Sequence, residues 1–165
     1  MKSLYFLFFC FMLLFCPGCD LLKELNQDDD AKLLFKVTVN SKTNPVDTVL
    51  FTGKEIKWFN DSTGEIIFTD TVTTSKIKYV HRIKCYLGTD SLFTATVTSD
   101  IMSSIVNDLV LNHNLYDGKY YFEDGYPGWI DNLGATTLRA QNKEKRAVAW
   151  RRFIEQLKKE GKIKR

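Results

Sequence analysis

The chain has 165 residues, is 44% apolar and 13% aromatic, and carries a formal net charge of +3. That length gives one ordinary domain with a real core, and that apolar content excludes an intrinsically disordered chain. The charge is unevenly placed, with +8 over residues 139–165 and −6 over residues 19–138.

The chain opens on Met1-Lys2, and Leu4 to Phe15 is almost wholly Leu, Phe, Tyr, Met and Cys. A membrane-spanning helix needs roughly 20 apolar residues, so this run is too short and reads as the core of an export signal. Pro17 stops the helix because it lacks an N–H and clashes with the preceding turn, and Gly18 puts a residue without a side chain before Cys19. The arrangement resembles the lipobox of bacterial lipoproteins, with Cys16 where leucine is usual. The resemblance implies that residues 1–18 are a signal peptide removed in maturation and that the Cys19 thiol carries a diacylglycerol. The competing reading is a plain secretory signal with an incidental cysteine. Each buried CH₂ contributes about 0.8 kcal/mol, so two or more acyl chains hold firmly to a membrane.

Residues 19–30, "CDLLKELNQDDD", read as the acylated cysteine and a flexible tether. Adjacent carboxylates alone do not make a calcium cage, so Asp28, Asp29 and Asp30 are taken as spacer. In Bacteroidetes-type lipoproteins, acidic residues soon after the lipid cysteine can mark export to the surface. Asp20 fits that pattern and Asp28 to Asp30 sit late for it, so periplasmic and surface faces both stay open. Once the leader is gone and Cys19 acylated, Cys85 is the sole free cysteine. No intrachain disulfide is then available, and packing must hold the single domain expected over residues 31–165.

Within that domain "KLLFKVTVN" (32–40) predicts a strand, "SKTNPVD" a turn and "TVLF" (48–51) a short strand. Thr52 with Glu55 forms a capping box, which favours a helical turn over 52–60. The competing reading there is a hairpin into "EIIFT", with Gly64 in the left-handed position and Ile56, Trp58, Ile66 and Phe68 on one face. "KIKYVHRIKCYL" (76–87) and "SLFTATVT" (91–98) predict a hairpin pairing Cys85 with Phe93, Ile83 with Ala95 and His81 with Val97; a one-residue slip would bury Lys84. Ser99 as N-cap and Asp100 in a first turn predict a short helix over 99–106.

"DLVLNHNLYDGKYYFED" (108–124) predicts a second hairpin about Asp117-Gly118, pairing Leu115 with Tyr120 and His113 with Phe122. A Gly- and Pro-rich loop follows over 125–137. Ala147, Trp150, Phe153, Ile154 and Leu157 recur at helical spacing within 142–162, and Gly161 ends that helix. Trp150 is expected to be buried. The sum is an α+β domain: a mostly antiparallel sheet of about six or seven strands, a short helix, and a long C-terminal amphipathic helix on one sheet face.

No zinc-spaced His/Cys cluster, phosphate loop or GxSxG elbow occurs, so no metal and no cofactor are expected. The basic tail could mark a nucleic-acid binder, but an exported lipoprotein rarely meets nucleic acid, and none is expected as a partner. The tail is instead read as offsetting the acidic body or facing an anionic membrane. His81 and Cys85 lie four residues apart on one predicted strand, about 13 Å between Cα atoms at roughly 3.3 Å per residue, which excludes a dyad. The sharpest candidate is "EDGYPGW": Tyr126 and Trp129 flank a Pro-Gly turn with Asp124 and Asp131 beside them, a set suited to a sugar ring or a proline-bearing peptide. The alternative is that both rings pack under the last helix.

"TGKEIKWFNDSTGEIIF", "NDLVL", "DGKYYFEDGYP" and "RAVAWRRFIEQLKKEGK" together resemble small lipoproteins of gut Bacteroidetes that lack an assigned function. The resemblance implies an envelope location, outer membrane by preference, and carries over no catalytic residue. The expected function is a lipid-anchored, non-catalytic binding or accessory module for a protein partner or glycan, attached to the membrane through Cys19. The alternative is a small hydrolase of an envelope polymer using carboxylates near residues 123–131. A third reading is an inhibitor or chaperone-like protector with an exposed sheet edge.

Overall fold

A computed structural model describes residues 32–40, 45–69, 71–130 and 134–164. Cys19, the Asp28–Asp30 run, residues 41–44 of the turn expected over 41–47 and Asp131 lie outside the described residues, and residues 45–47 of that turn belong instead to a strand that starts at Pro45. The elements in chain order are β1 (Leu33–Asn40), β2 (Pro45–Thr52), a 3₁₀ turn (Gly53–Glu55), β3 (Ile56–Asn60), β4 (Glu65–Phe68), α1 (Thr71–Ile77), β5 (Arg82–Leu87), β6 (Asp90–Ser99), β7 (Val110–Asn114), β8 (Lys119–Glu123), α2 (Ala135–Lys159) and β9 (Ile163–Lys164). The fold is α+β, as expected, but the sheet among the described residues has nine strands in the order β2-β1-β5-β6-β7-β8-β4-β3-β9. It is mixed, because β6–β7 and β3–β9 pair in parallel. No tight turn joins either pair: a crossover over residues 100–109 links the first, and the second is made by the chain after α2.

The sheet curls until its first strand meets its seventh. Phe51 on β2 lies edge-on to Phe68 on β4, 5.2 Å between ring centroids, and α1 packs against both strands. Into this curl α2 inserts Phe153, which meets Phe35, Phe59, Phe93 and Phe122 from four different strands. Phe153 and Leu157 are fully buried. Each such side chain contributes roughly 1.5–3 kcal/mol of transfer free energy, and non-bridged aromatic packing holds the domain. Cys85 is free and buried, which pushes its thiol well above the ordinary range.

The β5–β6 register is the expected one, with Ile83 opposite Ala95, Cys85 opposite Phe93, and Val97 N–H donating to the His81 carbonyl. The β7–β8 register is offset by two residues, pairing His113 with Tyr120 and Leu111 with Phe122. An even offset keeps every side chain on its expected face; Asn114 captures the Tyr116 N–H through its side chain, so the turn takes four residues rather than two. Both readings of 52–60 hold in part: the Thr52/Glu55 capping box closes the 3₁₀ turn, and β3 then forms the hairpin. A bulge between Ile56 and Trp58 turns Phe59 into the core and Trp58 outward, where Lys164 sits over its ring at 4.6 Å.

Three further expectations are corrected. Residues 71–77, rich in β-branched threonine and valine, form α1, and the strand expected from 76 begins at Arg82. Ile77 is buried as the last residue of that helix, so its apolar character belongs to a helix rather than to strand alternation. No helix forms over 99–106: the Asp100 carboxylate accepts from Asn112 and from the Leu115 N–H instead of closing a first turn. The crossover opens on a turn in which the Met102 N–H donates to the Ser99 carbonyl at 2.9 Å, and Val106 bridges Tyr126. Finally, α2 starts at Ala135 rather than 142, and β9 follows the Gly161 stop, where φ is +67°.

Candidate functional site

A cleft of about 810 Å³ lies between α2 and the bottom of the β8–β4–β3 sheet. One wall is the β3–β4 turn. The Asn60 side-chain oxygen accepts from the Ser62 N–H at 3.0 Å, the Ser62 hydroxyl at 2.6 Å and the Thr63 N–H at 3.1 Å, which folds the turn back on itself. Gly64, with φ +76°, closes it against β8, where the Phe122 N–H donates to the Gly64 carbonyl at 2.8 Å. A Cβ there would stand 2.2 Å from the Phe122 carbonyl oxygen, so glycine is required both by conformation and by space. This closure presents Asp61, Ser62 and Thr63 to the cleft.

The other wall is one stripe of α2, and Leu109, Phe122, Trp150 and Ile154 make the apolar floor. Trp150 is half-buried rather than buried. Its ring packs on Phe59, Phe93, Phe122 and Phe153, and it also lines the cleft. The rim carries both signs: Asp61, Asp124 and Glu155 stand with Lys143, Arg146, Arg151 and Lys158, while Glu123 borders the cleft by its place on β8 and gives its carboxylate to Asn112.

Arg146 is the fixed point of the rim. Its side chain is 8% exposed, and a guanidinium so buried needs acceptors. Nη1 donates to Asp108 at 2.7 Å and to the Asn142 carbonyl at 3.3 Å, and Nη2 donates to Asp124. Lys143 pairs with the second Asp124 oxygen at 2.7 Å. Asp124 is therefore committed to two cations from α2.

The expected four-residue cluster does not assemble as such. Asp124 lines the cleft, but Tyr126 is 8% exposed and Trp129 is 82% exposed, so the two rings do not form one platform, and Asp131 lies outside the described residues. Tyr126 is pinned by its backbone bridge to Val106 and packs toward the outer sheet face. Burial, with smaller repulsion from Asp100 and Glu123, raises its phenol above the ordinary value. Arg139 fixes the loop by donating to the Pro127 carbonyl at 3.0 Å and to Asn107 at 3.3 Å.

The outer face of β6–β7–β8 carries a second polar group, roofed by the crossover. Thr98 and Asn112 are buried there. The Thr98 hydroxyl donates to Asn112 at 3.3 Å, and the Asn112 amide donates to Asp100 at 3.2 Å. Glu123 shares Asn112, and burial, with added repulsion from Asp100, raises its carboxyl above the ordinary value. The histidines fall elsewhere. His81 is exposed, off the apolar face expected for it because β5 starts one residue later, and His113 stacks on Tyr120 at 4.6 Å. Among the described residues no group of three or more metal-ligating side chains gathers, and no helix is long and apolar enough to cross a membrane.

Residue-level reading of the sequence missed Arg146 and the cleft it organises. The available signal was its spacing: Arg146, Trp150, Phe153 and Leu157 fall at the 4-3-4 steps of one buried stripe, so a charge there demanded partners. No protein-family model matches the chain, and neither do the characterised proteins or solved structures compared with it.

Proposed function

We propose that this chain is a lipid-anchored, non-catalytic module of the bacterial cell envelope that binds an uncharged glycan segment in the α2–β8 cleft. The observation that carries the reading is the charge-balanced rim around an indole: Asp61, Asp124 and Glu155, with Asp108 on Arg146, offset Lys143, Arg146, Arg151 and Lys158 over a floor holding Trp150. A rim of balanced sign has no net attraction for a polyanion or a polycation. It offers donors and acceptors in pairs, which suits vicinal hydroxyls, while the apolar floor takes the hydrophobic face of a sugar ring. The engagement of Asp124 by Arg146 and Lys143 favours binding over hydrolysis, because both of its oxygens are already taken by cations of α2. Anchoring through Cys19 rests on the lipobox resemblance of residues 13–19.

The test is a neutral-polysaccharide array followed by calorimetry on the retained glycan. Arg151→Ala and Asp61→Ala, both at exposed rim positions, are each expected to weaken binding about tenfold, equivalent to ~1.4 kcal/mol, with the thermal transition unchanged. Retention of no neutral glycan by a folded protein, or affinity indifferent to both substitutions, overturns the reading. Labelling with a radiolabelled fatty acid, lost in Cys19→Ser, tests the anchor separately.

A further inference from the structure

The end of the curled sheet opposite the cleft is tipped with exposed apolar side chains. Val39 stands at the end of β1, Tyr79 in the turn before β5, Ile101 and Met102 in the crossover, and Leu115 and Tyr116 in the β7–β8 turn. Ile101 is 80% and Tyr116 96% exposed. They are neighbours in space. Tyr79, Met102 and Leu115 line one shallow recess of about 180 Å³, and the Leu115 N–H donates to Asp100 at 2.9 Å, which ties the turn to the crossover. A second recess joins Tyr79 to Val39.

Charge is sorted around these tips. Lys76, Lys78 and Arg82 are exposed beside them, and the Lys78 ammonium lies 5.3 Å over the Tyr79 ring. The nearby acids are each engaged: Asp100 accepts from Asn112 and the Leu115 N–H, the exposed Asp117 accepts from the Tyr121 hydroxyl at 2.7 Å and the Lys119 N–H at 2.9 Å, and Asp47, opposite Thr38, accepts from the Thr38 hydroxyl at 2.7 Å and pairs with Lys84 at 3.1 Å. Aliphatic and tyrosine tips ringed by outward cations match the layered chemistry of an anionic bilayer interface. The tips also project from separate turns, a form suited to a fluid apolar phase and ill suited to a flat protein partner.

We propose that these tips dock on an anionic lipid surface, seating this end of the sheet in the headgroup layer of the membrane that holds Cys19. The proposal rests on the anchoring part of the functional reading. Thirteen residues separate Cys19 from Leu33, a reach of about 45 Å when extended, against roughly 26 Å for the eight residues of β1; the anchor therefore permits this orientation. The glycan cleft, reached from the far end of β8, then faces away from the membrane.

The test places a nitroxide at Ile101→Cys, Tyr116→Cys or, as control on an exposed face of α2, Val148→Cys in the full chain as matured by its host. Cys85 is buried and Cys19 acylated, so the label is single. On vesicles of phosphatidylcholine with phosphatidylglycerol, the ratio of oxygen to nickel-chelate accessibility is expected to rise several-fold at 101 and 116 and to stay aqueous at 148. Vesicle-bound protein whose 101 and 116 labels remain as aqueous as 148 overturns the docking and leaves anchoring intact. Labels shielded from both reagents mean a protein covers the tips, which also overturns it. If mass spectrometry finds Cys19 unmodified, anchoring fails, and the same contrast on Cys19→Ser protein at millimolar lipid decides the docking by itself.

Discussion

At the scale of single residues, Glu123 carries the clearest pH signature in the domain. It is half-buried, shares Asn112 with Asp100, and its carboxyl is raised above the ordinary value by burial first and by Asp100 next. An acid whose folded value exceeds its unfolded value, normally about 4.3, binds its proton more tightly in the native state. Its ionised form therefore weakens the fold, and stability is regained as the pH falls through the raised folded value toward the unfolded one. Glu123→Gln removes the charge and keeps an acceptor for Asn112. The variant is expected to melt above the wild type at neutral pH, with the gap shrinking to nothing near pH 4. Melting curves across that range check it: a gap that is constant with pH, or reversed at neutral pH, would show that the ionised carboxylate is satisfied where it stands. Gly64 was legible as one of two readings: the hairpin alternative to a helical turn put this lone glycine in the left-handed position, and φ is +76° there. Burial of Tyr126 was not legible in the same way, because the roof over it comes from residues 100–109, whose conformation depends on where Asp100 spends its hydrogen bonds.

Among elements, α2 unites the stability of the domain with its cleft. Its buried stripe was readable from periodicity, and so was its stop at Gly161. The identity of what it faces was not, since the β3–β4 turn that completes the cleft lies some eighty residues upstream and no local pattern links the two. The helix α1 was illegible for a different reason: threonine and valine disfavour a helix by their stiff χ1, and burial of Ile77 and Thr73 overrides that preference. The Arg146 triad tests how α2 is held. Removing one partner of a fully buried ion pair costs about 3–5 kcal/mol. Here the acid side chains are 61% exposed at Asp108 and 38% at Asp124, and Lys143 remains with Asp124, so water and lysine absorb part of the loss. Arg146→Met, which continues the apolar stripe, is expected to cost about 2 kcal/mol, or ~4–8 °C in Tm, and to weaken glycan binding because Asp124 loses its orientation. A urea midpoint equal to or above that of the wild type would mean that apolar packing outweighs the triad, as happens for some buried pairs.

For the whole molecule, the curl is the organising fact, and it explains why the strand count and order escaped a linear reading. Hairpins are local and followed from alternation and turn residues. Closure is not: it depends on Phe51 reaching Phe68 and on Phe153 gathering rings from four strands, contacts between residues far apart in the chain. The same geometry divides β1 into two halves. From Leu34 to Lys36 it is paired on both sides, with β2 and with β5. From Val37 to Asn40 it keeps only β2, and the facing stretch of β2 from Pro45 to Val49 is exposed. Opening free energy follows such differences in pairing and burial. Native-state hydrogen exchange is therefore expected to give two tiers along one strand. Amides of 34–36 should exchange as slowly as those of β5 and β6, at the rate set by global unfolding, and those of 37–40 and 46–49 orders of magnitude faster. The fast tier is also the part of the hairpin that ends in Val39 at the lipid-docking tips, so vesicle binding should slow it selectively. Uniform protection along β1 in free protein would mean that the hairpin end is held by contacts beyond its pairing with β2.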